Sequence, residues 1–555
     1  MKNIPEMTDA AAAAEQAELL NIAHYVLGDV GNPARGARVA LRIVDANGTC
    51  RDIRYDALAA RVHRCAHAYA QLGLCPGEVV GVLCPPGEAL TVATLGALAG
   101  GMVVMPLFCS FGPQPIATRM ALSGAHTLVT TRALYERRIA PERGALPRLS
   151  KILLVDGDAA PGDADCHLLE ALLAGAPDTP YPSATRAGDP ALLHFTSGSS
   201  GKPKGVLHGH GVVRRQHATA REALDLREGD AFWCTADPGW VTGMAYGVLA
   251  GLACGATNLV SAEAFDALLW YRILEQQRVN VWYASPTALR LLAHADRPRP
   301  NLPCLRRIAS VGEALDEATR QWAADHLGCR VRDTWWQTET GAIMIADCEP
   351  DGVHAGAMGR PVSGIEARVV RRTGEGTLST LDTPAAEGEL AFVAGWPSMF
   401  RGYLDDEPRY RAAFVQGLYL TGDIVRRDES GRYWFVGRDD DMIKTSGHLV
   451  GPHEIENVLM QHGVVAEAGV VGQADAVAGE IVVACVVLKP GWAPTDPVRE
   501  ELLAHAKSAL GPVLAPRRIE FMRSLPHTAS DKILRRRLKA RVAENSAAAQ
   551  AAADK

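Results

Sequence analysis

The feature that most constrains the fold of this chain is its alternation of amphipathic helical stretches with short apolar runs. The alternation begins near Tyr55 with YDALAARVHRCAHAYAQLGL and continues through the apolar runs VVGVLC, TLVTT and KILLVD. Short Val/Ile/Leu runs separated by helices are typical of parallel strands that are covered on both faces. The sequence therefore predicts an α/β fold with doubly wound parallel sheets in a large N-terminal domain.

The chain should divide into more than one domain, because its 555 residues exceed what one hydrophobic core usually supports. After Pro350 the strand candidates IEARVVRR, GELAFVAG, LYLTGD and RYWFVGR predict a β-rich subdomain over about 350–437. Beyond it, HEIENVLMQH, AEAGVVGQ, IVVACVVLK and VREELLAHAKSAL predict a helix, two strands and a helix. We therefore expect a large domain over residues 1–437, a small mobile α+β domain over 438–540 and a disordered tail over 541–555.

The composition argues against nucleic-acid binding and against export. A net charge of −6 with 22% charged residues lacks the basic excess that nucleic-acid binding favours. The twelve cysteines form no CxxC pair, which predicts reduced thiols in the cytoplasm, without disulfides or a zinc site. The N-terminus lacks the basic start and apolar core of a secretory signal.

Two uncharged stretches, residues 89–108 and 240–262, are long enough to be considered as membrane spans. Both contain glycines and end in strand-like runs such as MVVMPLF. We interpret each as a buried helix that leads into a buried strand, so no membrane partner is expected. The sequence leaves the oligomeric state open, with a homodimer as one alternative.

The segment from Phe195 to Gly205, FTSGSSGKPKG, carries the clearest chemical signal. Its glycines, hydroxyls and two lysines follow an apolar run, and such a loop can surround phosphates with N–H groups, hydroxyls and ammonium groups. It is not a Walker A loop, because Thr196 replaces the first glycine of that motif and Pro203 occupies its Ser/Thr position. Taken alone, the segment could also be a flexible surface turn.

Five segments together resemble the adenylate-forming family, which joins acyl-CoA synthetases, luciferases and peptide-synthetase adenylation domains. In order, they are FTSGSSGKPKG, DTWWQTETG, YLTGD, GRDDDMIKTSGH and LPHTASDKILRR. Four segments, DPGWVTG, YASPTALRLL, SVGEAL and DTWWQTETG, are similar to the acetate-activating branch in particular. The resemblance covers roughly Tyr55 to Lys539 and implies ATP and coenzyme A as substrates with Mg²⁺ as cofactor.

The resemblance assigns most of the candidate residues to nucleotide binding. It implies that Lys202 offsets charge on the β- and γ-phosphates, that Thr338 lies near the α-phosphate and that Glu339 binds Mg²⁺. It also implies that Asp423 accepts hydrogen bonds from the ribose hydroxyls and that Arg438 contacts the nucleotide. The remaining implied ATP or AMP contacts are Thr196, Ser197, Gly198, Ser199, Ser200, Gly201, Gly312, Glu313, Ala314, Asp333, Thr334, Trp335, Trp336 and Gln337.

The acid should be selected by exclusion rather than by attraction. Four residues, Val241, Thr242, Val311 and Trp336, match the positions that line the acetate pocket of the family. Because a hydrophobic pocket gains only about 1–3 kcal/mol per substrate methylene, attraction alone favours longer acids. An indole at Trp336 would occupy the space that a longer chain needs, although either tryptophan of the pair could be ordinary core packing.

The resemblance implies that the C-terminal domain rotates about Asp440 between two half-reactions. Lys532 matches the lysine that this domain inserts into the active site during adenylation, whereas Arg535, Arg536, Arg537 and Lys539 are interpreted as a solvated basic helix. Gly447 would pack near the pantetheine tunnel and Lys507 would contact a CoA phosphate. Two residues depart from the branch: Leu449 replaces a basic residue, and Asp531 replaces the glycine before Lys532.

The sequence thus predicts an acid–thiol ligase that forms an acyl-AMP and pyrophosphate, then transfers the acyl group to CoA. Acetate is the expected acid, and propionate, acrylate or a hydroxy acid are the alternatives. An adenylation enzyme that loads a carrier protein is disfavoured because no carrier-like segment follows Lys532. A catalytically silent acyl or nucleotide sensor, motivated by Leu449, is the alternative of a different class.

Overall fold

The computed structural model describes residues 17–157, 165–197, 203–295, 297–348, 354, 356–383, 385–438, 441–445, 448–475, 479–528 and 532–553. Three sheets and the helices packed on them make up this part of the chain. The strands, in chain order, are β1 Val39–Val44, β2 Cys50–Arg54, β3 Val79–Leu83, β4 Val103–Pro106, β5 Thr127–Thr130, β6 Lys151–Leu154, β7 Cys166–Leu168, β8 Pro190–Ser197, β9 Pro203–Gly209, β10 Ala231–Cys234, β11 Thr257–Val260, β12 Val281–Ala284, β13 Arg307–Ser310, β14 Val331–Trp335, β15 Ile345–Ala346, β16 Ala357–Pro361, β17 Ala367–Arg372, β18 Leu378–Thr380, β19 Glu387–Val393, β20 Gly402–Tyr403, β21 Phe414–Val415, β22 Leu418–Arg427, β23 Tyr433–Arg438, β24 Ile443–Thr445, β25 His448–Val450, β26 Val465–Asp475, β27 Gly479–Leu488 and β28 Arg518–Phe521.

The α-helices follow the strands in the alternation that the sequence predicts. They are α1 Ile22–Leu27, α2 Pro33–Gly36, α3 Tyr55–Gln71, α4 Glu88–Ala99, α5 Pro113–Ser123, α6 Arg132–Leu134, α7 Leu169–Ala174, α8 Val212–Ala223, α9 Gly251–Ala253, α10 Ala267–Gln276, α11 Pro286–Ala293, α12 Glu317–Trp322, α13 Glu407–Ala412, α14 Pro452–Met460, α15 Asp496–Leu514 and α16 Arg535–Ala553. Tyr135–Ile139, Gly243–Ala250 and Ala323–Leu327 are π-helical, and Ala140–Ala145 and Gly374–Gly376 are 3₁₀-helical.

The largest sheet joins the parallel strands to the β-rich region. Among the described residues, fifteen strands follow the order β18-β17-β19-β22-β23-β16-β15-β14-β13-β12-β10-β11-β1-β2, with β21 beside β22. Strands β1 and β10 to β14 are parallel to one another. Strands β15 and β16 continue the ladder in antiparallel fashion, so the β-rich region extends this sheet.

A second sheet carries the strand that leads into the phosphate-loop segment. Within the described ranges its order is β20-β9-β8-β4-β3-β5-β6-β7, and β3 to β8 are parallel. Helices α3 and α4 pack against each other in the main hydrophobic core. Gly96 permits this close approach, because a Cβ there would lie 2.6 Å from the side chain of Cys65. Both faces of the sheet are covered, as the fold class requires.

The C-terminal residues form their own sheet and core. The order is β25-β24-β27-β26, with β28 beside β27, and α14 and α15 pack over a cluster that includes Ile455, Val470, Ala484 and Leu502. The predicted helix, two strands and helix are confirmed as α14, β26, β27 and α15. Helix α16 continues to Ala553, whereas the sequence analysis predicts a disordered tail over 541–555. The helix is understandable because alanine is a strong helix former.

The two uncharged stretches are buried, as predicted. The first contains α4 followed by β4, and the second contains the π-helix Gly243–Ala250 followed by β11. In the part of the chain that the structure describes, no helix combines the length and apolar character needed to cross a membrane.

The fold places the motifs at one edge of the sheets. Parallel strands β10, β12 and β13 end at Cys234, Ala284 and Ser310, immediately before the segments DPGWVTG, SPTALRLL and VGEAL. The carboxyl ends of parallel strands meet at the same edge, where open α/β sheets bind ligands. Residues far apart in sequence are thereby brought together.

Candidate active site

Asp423 is a buried carboxylate held by three side chains. It lies on β22 directly opposite Arg438 on β23. The Arg438 guanidinium donates to Oδ1 at 2.7 Å, and the Trp335 indole N–H donates to Oδ2 at 2.9 Å. Burial raises the pKa of Asp423 even though Arg438 opposes the rise. Both oxygens are fixed in orientation, so hydroxyl groups of a ligand would meet a preorganised acceptor.

Trp335 and Gln337 both contact Asp423. The indole of Trp335 also stacks on Phe392, with ring centroids 5.4 Å apart. The Gln337 side-chain amide donates to the Thr421 carbonyl at 3.0 Å and lies 3.5 Å from Asp423 Oδ2. These contacts explain why both residues occur in the motif without requiring that either touch a nucleotide.

Glu339 is a second buried carboxylate, and a lysine from β9 holds it. Lys204 Nζ and the Tyr403 hydroxyl both donate to Oε1, at 2.5 and 2.9 Å. Burial would raise the pKa of Glu339, but the positive charge of Lys204 and its hydrogen bond outweigh burial and hold the pKa below its ordinary value. The group is therefore an anion at neutral pH, and both of these contacts are made to the same oxygen.

The predicted adenine wall forms where β13 and β14 end. Asp333 is buried and accepts from the Ser310 hydroxyl at 2.7 Å, while the Thr334 hydroxyl donates to the Ser310 carbonyl at 2.7 Å. Burial raises the pKa of Asp333 to about 6. Gly312 has φ +92°, and a Cβ there would lie 2.4 Å from the Trp240 ring. Glycine is needed at this position for both conformation and space.

Glu313 is held by an arginine of α11. Arg290 donates to Glu313 Oε2 at 2.7 Å and to Asp316 at 3.0 Å. The Thr287 hydroxyl donates to Glu313 Oε1 at 2.6 Å. Because Asp316 caps the N-terminus of α12, Arg290 links α11, α12 and the segment Gly312–Ala314. The carboxylate of Glu313 is thus occupied by protein groups.

Trp336 is half-buried and held in a cluster of aromatic rings. Its indole N–H donates to the Tyr283 hydroxyl at 3.2 Å. The Tyr246 ring meets it edge-on, with centroids 5.3 Å apart. Val311 belongs to the same apolar cluster. The indole is therefore fixed in orientation within the cluster to which Val311 also belongs.

Val241 and Thr242 are also buried, on the segment that follows β10. The Thr242 hydroxyl has no hydrogen-bond partner among the described residues. A buried hydroxyl without a partner requires an explanation, and a polar ligand atom would supply one.

Lys532 is a residue of the C-terminal domain that reaches this cleft. Its Nζ lies 6.0 Å from the centroid of the Trp240 ring, the ring that packs on Gly312. The residue as a whole is exposed, but enclosure of its ammonium group lowers the pKa of Lys532, while Asp423, Glu313 and Glu339 oppose that shift. Lys532, a cation of the small domain, therefore lies beside Trp240 of the large domain and within electrostatic reach of these three carboxylates.

The phosphate-loop segment is described only in part. Thr196 and Ser197 end β8, and the buried Thr196 hydroxyl has no partner among the described residues. The other predicted phosphate contacts, Gly198, Ser199, Ser200, Gly201 and Lys202, lie outside the described residues, as do Asp440, Gly447 and Asp531.

The remaining predicted sites are less closely connected to the cleft. The Thr338 carbonyl lies 2.7 Å from His208 Nε2, and Ala314 is half-buried beside Glu313. Lys507 is exposed on α15, and Leu449 lies on β25. The CoA contact predicted for Lys507 stays a prediction, and so does the consequence of having Leu449 in place of a basic residue.

Four residues of this region were not identified from the sequence. They are Lys204, Tyr403, Trp240 and Arg290. Lys204 belongs to the phosphate-loop motif and Trp240 to DPGWVTG, so both were visible as motif members without an assigned contact. Tyr403 and Arg290 become evident only through their hydrogen bonds to Glu339 and Glu313.

Comparison with known proteins agrees with this geometry. The family model described as AMP-binding enzyme matches residues 32–404, and the model of the AMP-binding enzyme C-terminal domain matches residues 454–532. The chain therefore belongs to the AMP-binding enzyme family. This agrees with the resemblance of its motifs to adenylate-forming enzymes.

Individual relatives extend over nearly the whole chain. An acetyl-coenzyme A synthetase of Bacillus subtilis (strain 168) is 38% identical over 528 residues, covering 94% of this chain and 90% of the relative. Among solved structures, a Brucella canis acyl-CoA synthetase is 31% identical with a TM-score of 0.71, and 97% of each chain is covered. A benzoate CoA ligase from Burkholderia xenovorans LB400 is 29% identical with a TM-score of 0.80, covering 94% of this chain and 100% of that one.

Proposed function

We propose that this protein is an AMP-forming acyl-CoA synthetase that activates acetate with ATP and transfers the acetyl group to CoA. The observation that carries the proposal is the position of the Lys532 ammonium group, 6.0 Å from the Trp240 ring centroid and within electrostatic reach of Asp423, Glu313 and Glu339. The reaction brings two anions together, the carboxylate of the acid and the α-phosphate of ATP. A lysine from the small domain that reaches the cleft of the large domain can stabilise this approach. Relatives with curated acetyl-CoA synthetase names support the choice of acid.

In the first half-reaction the oxygen of the acid attacks the α-phosphorus of ATP, and pyrophosphate leaves. Asp423 orients the ribose, and the segment Gly312–Ala314 supports the adenine. Lys532 stabilises the charge that accumulates between the acid and the α-phosphate, and Lys202 offsets charge on the departing phosphates. In the second half-reaction the CoA thiol attacks the acyl-AMP carbonyl and AMP leaves.

Mg²⁺ fits the residues of this site. Lys204 and Tyr403 both donate to Oε1 of Glu339, and the Glu339 carboxylate would hold the ion. Mg²⁺ typically takes one or two carboxylates together with phosphate oxygens of the substrate. When bound, Mg²⁺ neutralises phosphate charge during the transfer.

Alternation between the half-reactions is assigned to rotation of the small domain about Asp440, which would withdraw Lys532 and admit CoA. Gly447 and Lys507 would contact CoA after the rotation. The reaction is placed in the cytoplasm, where the twelve free cysteines would remain reduced.

The choice of acetate rests on Trp336. Its indole is fixed by Tyr283 and Tyr246 beside Val311, so a longer acyl chain would have to displace a packed aromatic ring. Displacement of this kind costs about 1–3 kcal/mol or more, which exceeds or offsets what an added methylene contributes.

The test is a panel of acids assayed for CoA-dependent AMP and thioester formation with Mg²⁺ and ATP. Acetate, propionate, acrylate, butyrate and lactate form the panel, and kcat/KM should be highest for acetate and fall with each added methylene. Preference for another acid of the panel would overturn the assignment of acetate alone. Absence of acid-dependent AMP formation with every acid would overturn the synthetase function and favour a silent sensor.

A further inference from the structure

Arg535 lies three residues after Lys532 and forms a buried ion pair, contrary to its interpretation as part of a solvated basic helix. Its side chain is 19% exposed. One terminal nitrogen of the guanidinium lies 2.6 Å from each oxygen of Glu456 on α14. Glu456 Oε1 also accepts the backbone N–H of Val470 on β26 at 2.8 Å. The first residue of α16 is therefore fixed to two other elements of the small domain.

The charges around this pair favour its ionised form. Burial would raise the pKa of Glu456, but Arg535, together with His453, lowers that pKa to about 2. The Arg535 Nε lies 3.9 Å from Asp441 Oδ2. Asp441 directly follows the predicted hinge residue Asp440. Arg535 thus connects α14 and β26 to the segment at which the small domain begins.

Arg535 also directly follows the turn that carries Lys532. The Thr528 N–H donates to the Lys532 carbonyl at 2.8 Å, and the Lys532 N–H donates to the Thr528 hydroxyl at 3.1 Å. The Leu534 N–H donates to the Pro526 carbonyl at 2.7 Å. Residues 526 and 534 are therefore paired, and the second arm of the turn runs directly into Arg535.

The first arm of the turn has its own attachment, because His527 Nε2 lies 2.5 Å from Glu467 on β26. The exposed Lys532 side chain extends from a turn whose two ends are held, one by His527 and the other by Arg535. At the Arg535 end, the guanidinium contacts both carboxylate oxygens of Glu456, whose side chain is buried.

We propose that Arg535 is a positioning residue that fixes the turn of Lys532, and thereby its ammonium group, relative to α14 and the hinge segment for the adenylation half-reaction. This inference rests on the proposed function. Because its guanidinium is engaged by Glu456, Arg535 would act through Lys532 and not by contact with a substrate. Since a displacement of about 1 Å at a reacting group can cost on the order of 10² in rate, loosening the turn should impair adenylation strongly.

The experiment compares Arg535→Gln and Arg535→Lys with the matched control Lys539→Ala. Lys539 lies one helical turn further along α16 and pairs with Glu480 at 3.1 Å, with side chains 43% and 23% exposed. Breaking this pair, which is more open to solvent than the Arg535–Glu456 pair, should have little effect. Adenylation is measured by acetate-dependent ATP–pyrophosphate exchange, and thioester formation is measured separately from supplied acetyl-AMP and CoA.

Adenylation should fall by about 10²-fold in Arg535→Gln, with thioester formation within about threefold of the parent and the control unchanged in both assays. Arg535→Lys keeps the charge and should retain the fold, but it lacks the planar guanidinium, so its adenylation should fall to an intermediate value. In the Lys532→Ala background, Arg535→Gln should reduce the residual adenylation rate by less than about threefold, because two residues that act through one group are not additive.

Two results would overturn the inference and leave the synthetase function intact. One is an equal loss in both half-reactions for Arg535→Lys. The other is that Arg535→Gln lowers adenylation by the same factor in the Lys532→Ala background as in the parent enzyme. If the parent enzyme shows no pyrophosphate exchange with any acid of the panel, the proposed function and the inference are both overturned.

Discussion

Replacement of Lys532 by alanine should separate the two half-reactions. In the structure the Lys532 ammonium group lies 6.0 Å from the Trp240 ring centroid and interacts electrostatically with Asp423 and Glu339. We therefore expect this group to act in adenylation. The thioester step would follow withdrawal of the small domain, when this group no longer faces the reaction. A contact made in only one step should affect only that step.

The magnitude follows from the kind of contact that is removed. A preorganised donor aimed at developing charge contributes about 3–4 kcal/mol, or on the order of 10²–10³ in rate. We expect a loss of that size in acetyl-AMP formation. Conversion of supplied acetyl-AMP and CoA into acetyl-CoA should proceed at nearly the parent rate.

The pH dependence gives a second measurement on the same residue. Enclosure lowers the pKa of Lys532 below its ordinary value of 10.5, so the active ammonium form should be lost as pH rises through that lowered pKa. Adenylation by the parent enzyme should therefore decline at alkaline pH, whereas thioester formation from acetyl-AMP should not show this decline.

Single-turnover assays of each half-reaction, with a thermal unfolding curve for each variant, test the expectation. Lys532→Arg serves as the charge-conserving comparison and should retain more adenylation than Lys532→Ala. Similar losses in both half-reactions by a folded Lys532→Ala protein would refute the reasoning and would identify Lys532 as a general structural or binding residue.

Three further predictions concern specificity, domain rotation and stability. Trp336→Gly should shift preference from acetate to acids of four or more carbons with ATP affinity unchanged, and an unchanged ranking of acids would show that Trp336 is core packing. Asp440→Pro fixes φ near about −65° and should retain acyl-AMP formation but lose most thioester formation; equal loss of both would indicate a misfolded domain. Burial raises the pKa of Asp333 to about 6, so its ionised form destabilises the fold increasingly as pH rises from about 4 through 6. Asp333→Asn should therefore raise the free energy of unfolding by about 2–3 kcal/mol at pH 8 and by about half as much at pH 5, as measured by denaturant titration, and an equal effect at both pH values would contradict this account.

Much of the architecture was predictable because local pattern and fold agree. The run HEIENVLMQH is amphipathic at helical spacing and forms α14, and IVVACVVLK is a continuous apolar run that forms β27 in the small-domain core. The segment of residues 89–108 was correctly assigned to a buried helix and strand because its glycines and its MVVMPLF run favour close packing over a membrane span.

The basic C-terminal helix shows where sequence interpretation failed. Arg535, Arg536 and Arg537 are adjacent and chemically identical, and sequence spacing alone gave no reason to separate them. Only the packing of α16 against β26 brings Arg535 to Glu456, while Arg536 and Arg537 remain exposed. Lys539 likewise forms an ion pair with Glu480.

The sequence by itself determined the alternation of helices and strands, the order of the motifs and the identity of the charged residues available for chemistry. Local periodicity and turn residues are encoded over short segments, so they can be inferred without tertiary contacts. Only the tertiary structure decided which groups meet: Lys204 with Glu339, Arg290 with Glu313, and Arg535 with Glu456. The members of these pairs lie 135, 23 and 79 residues apart in the chain, and their contacts depend on strand order and helix packing, which no local pattern specifies.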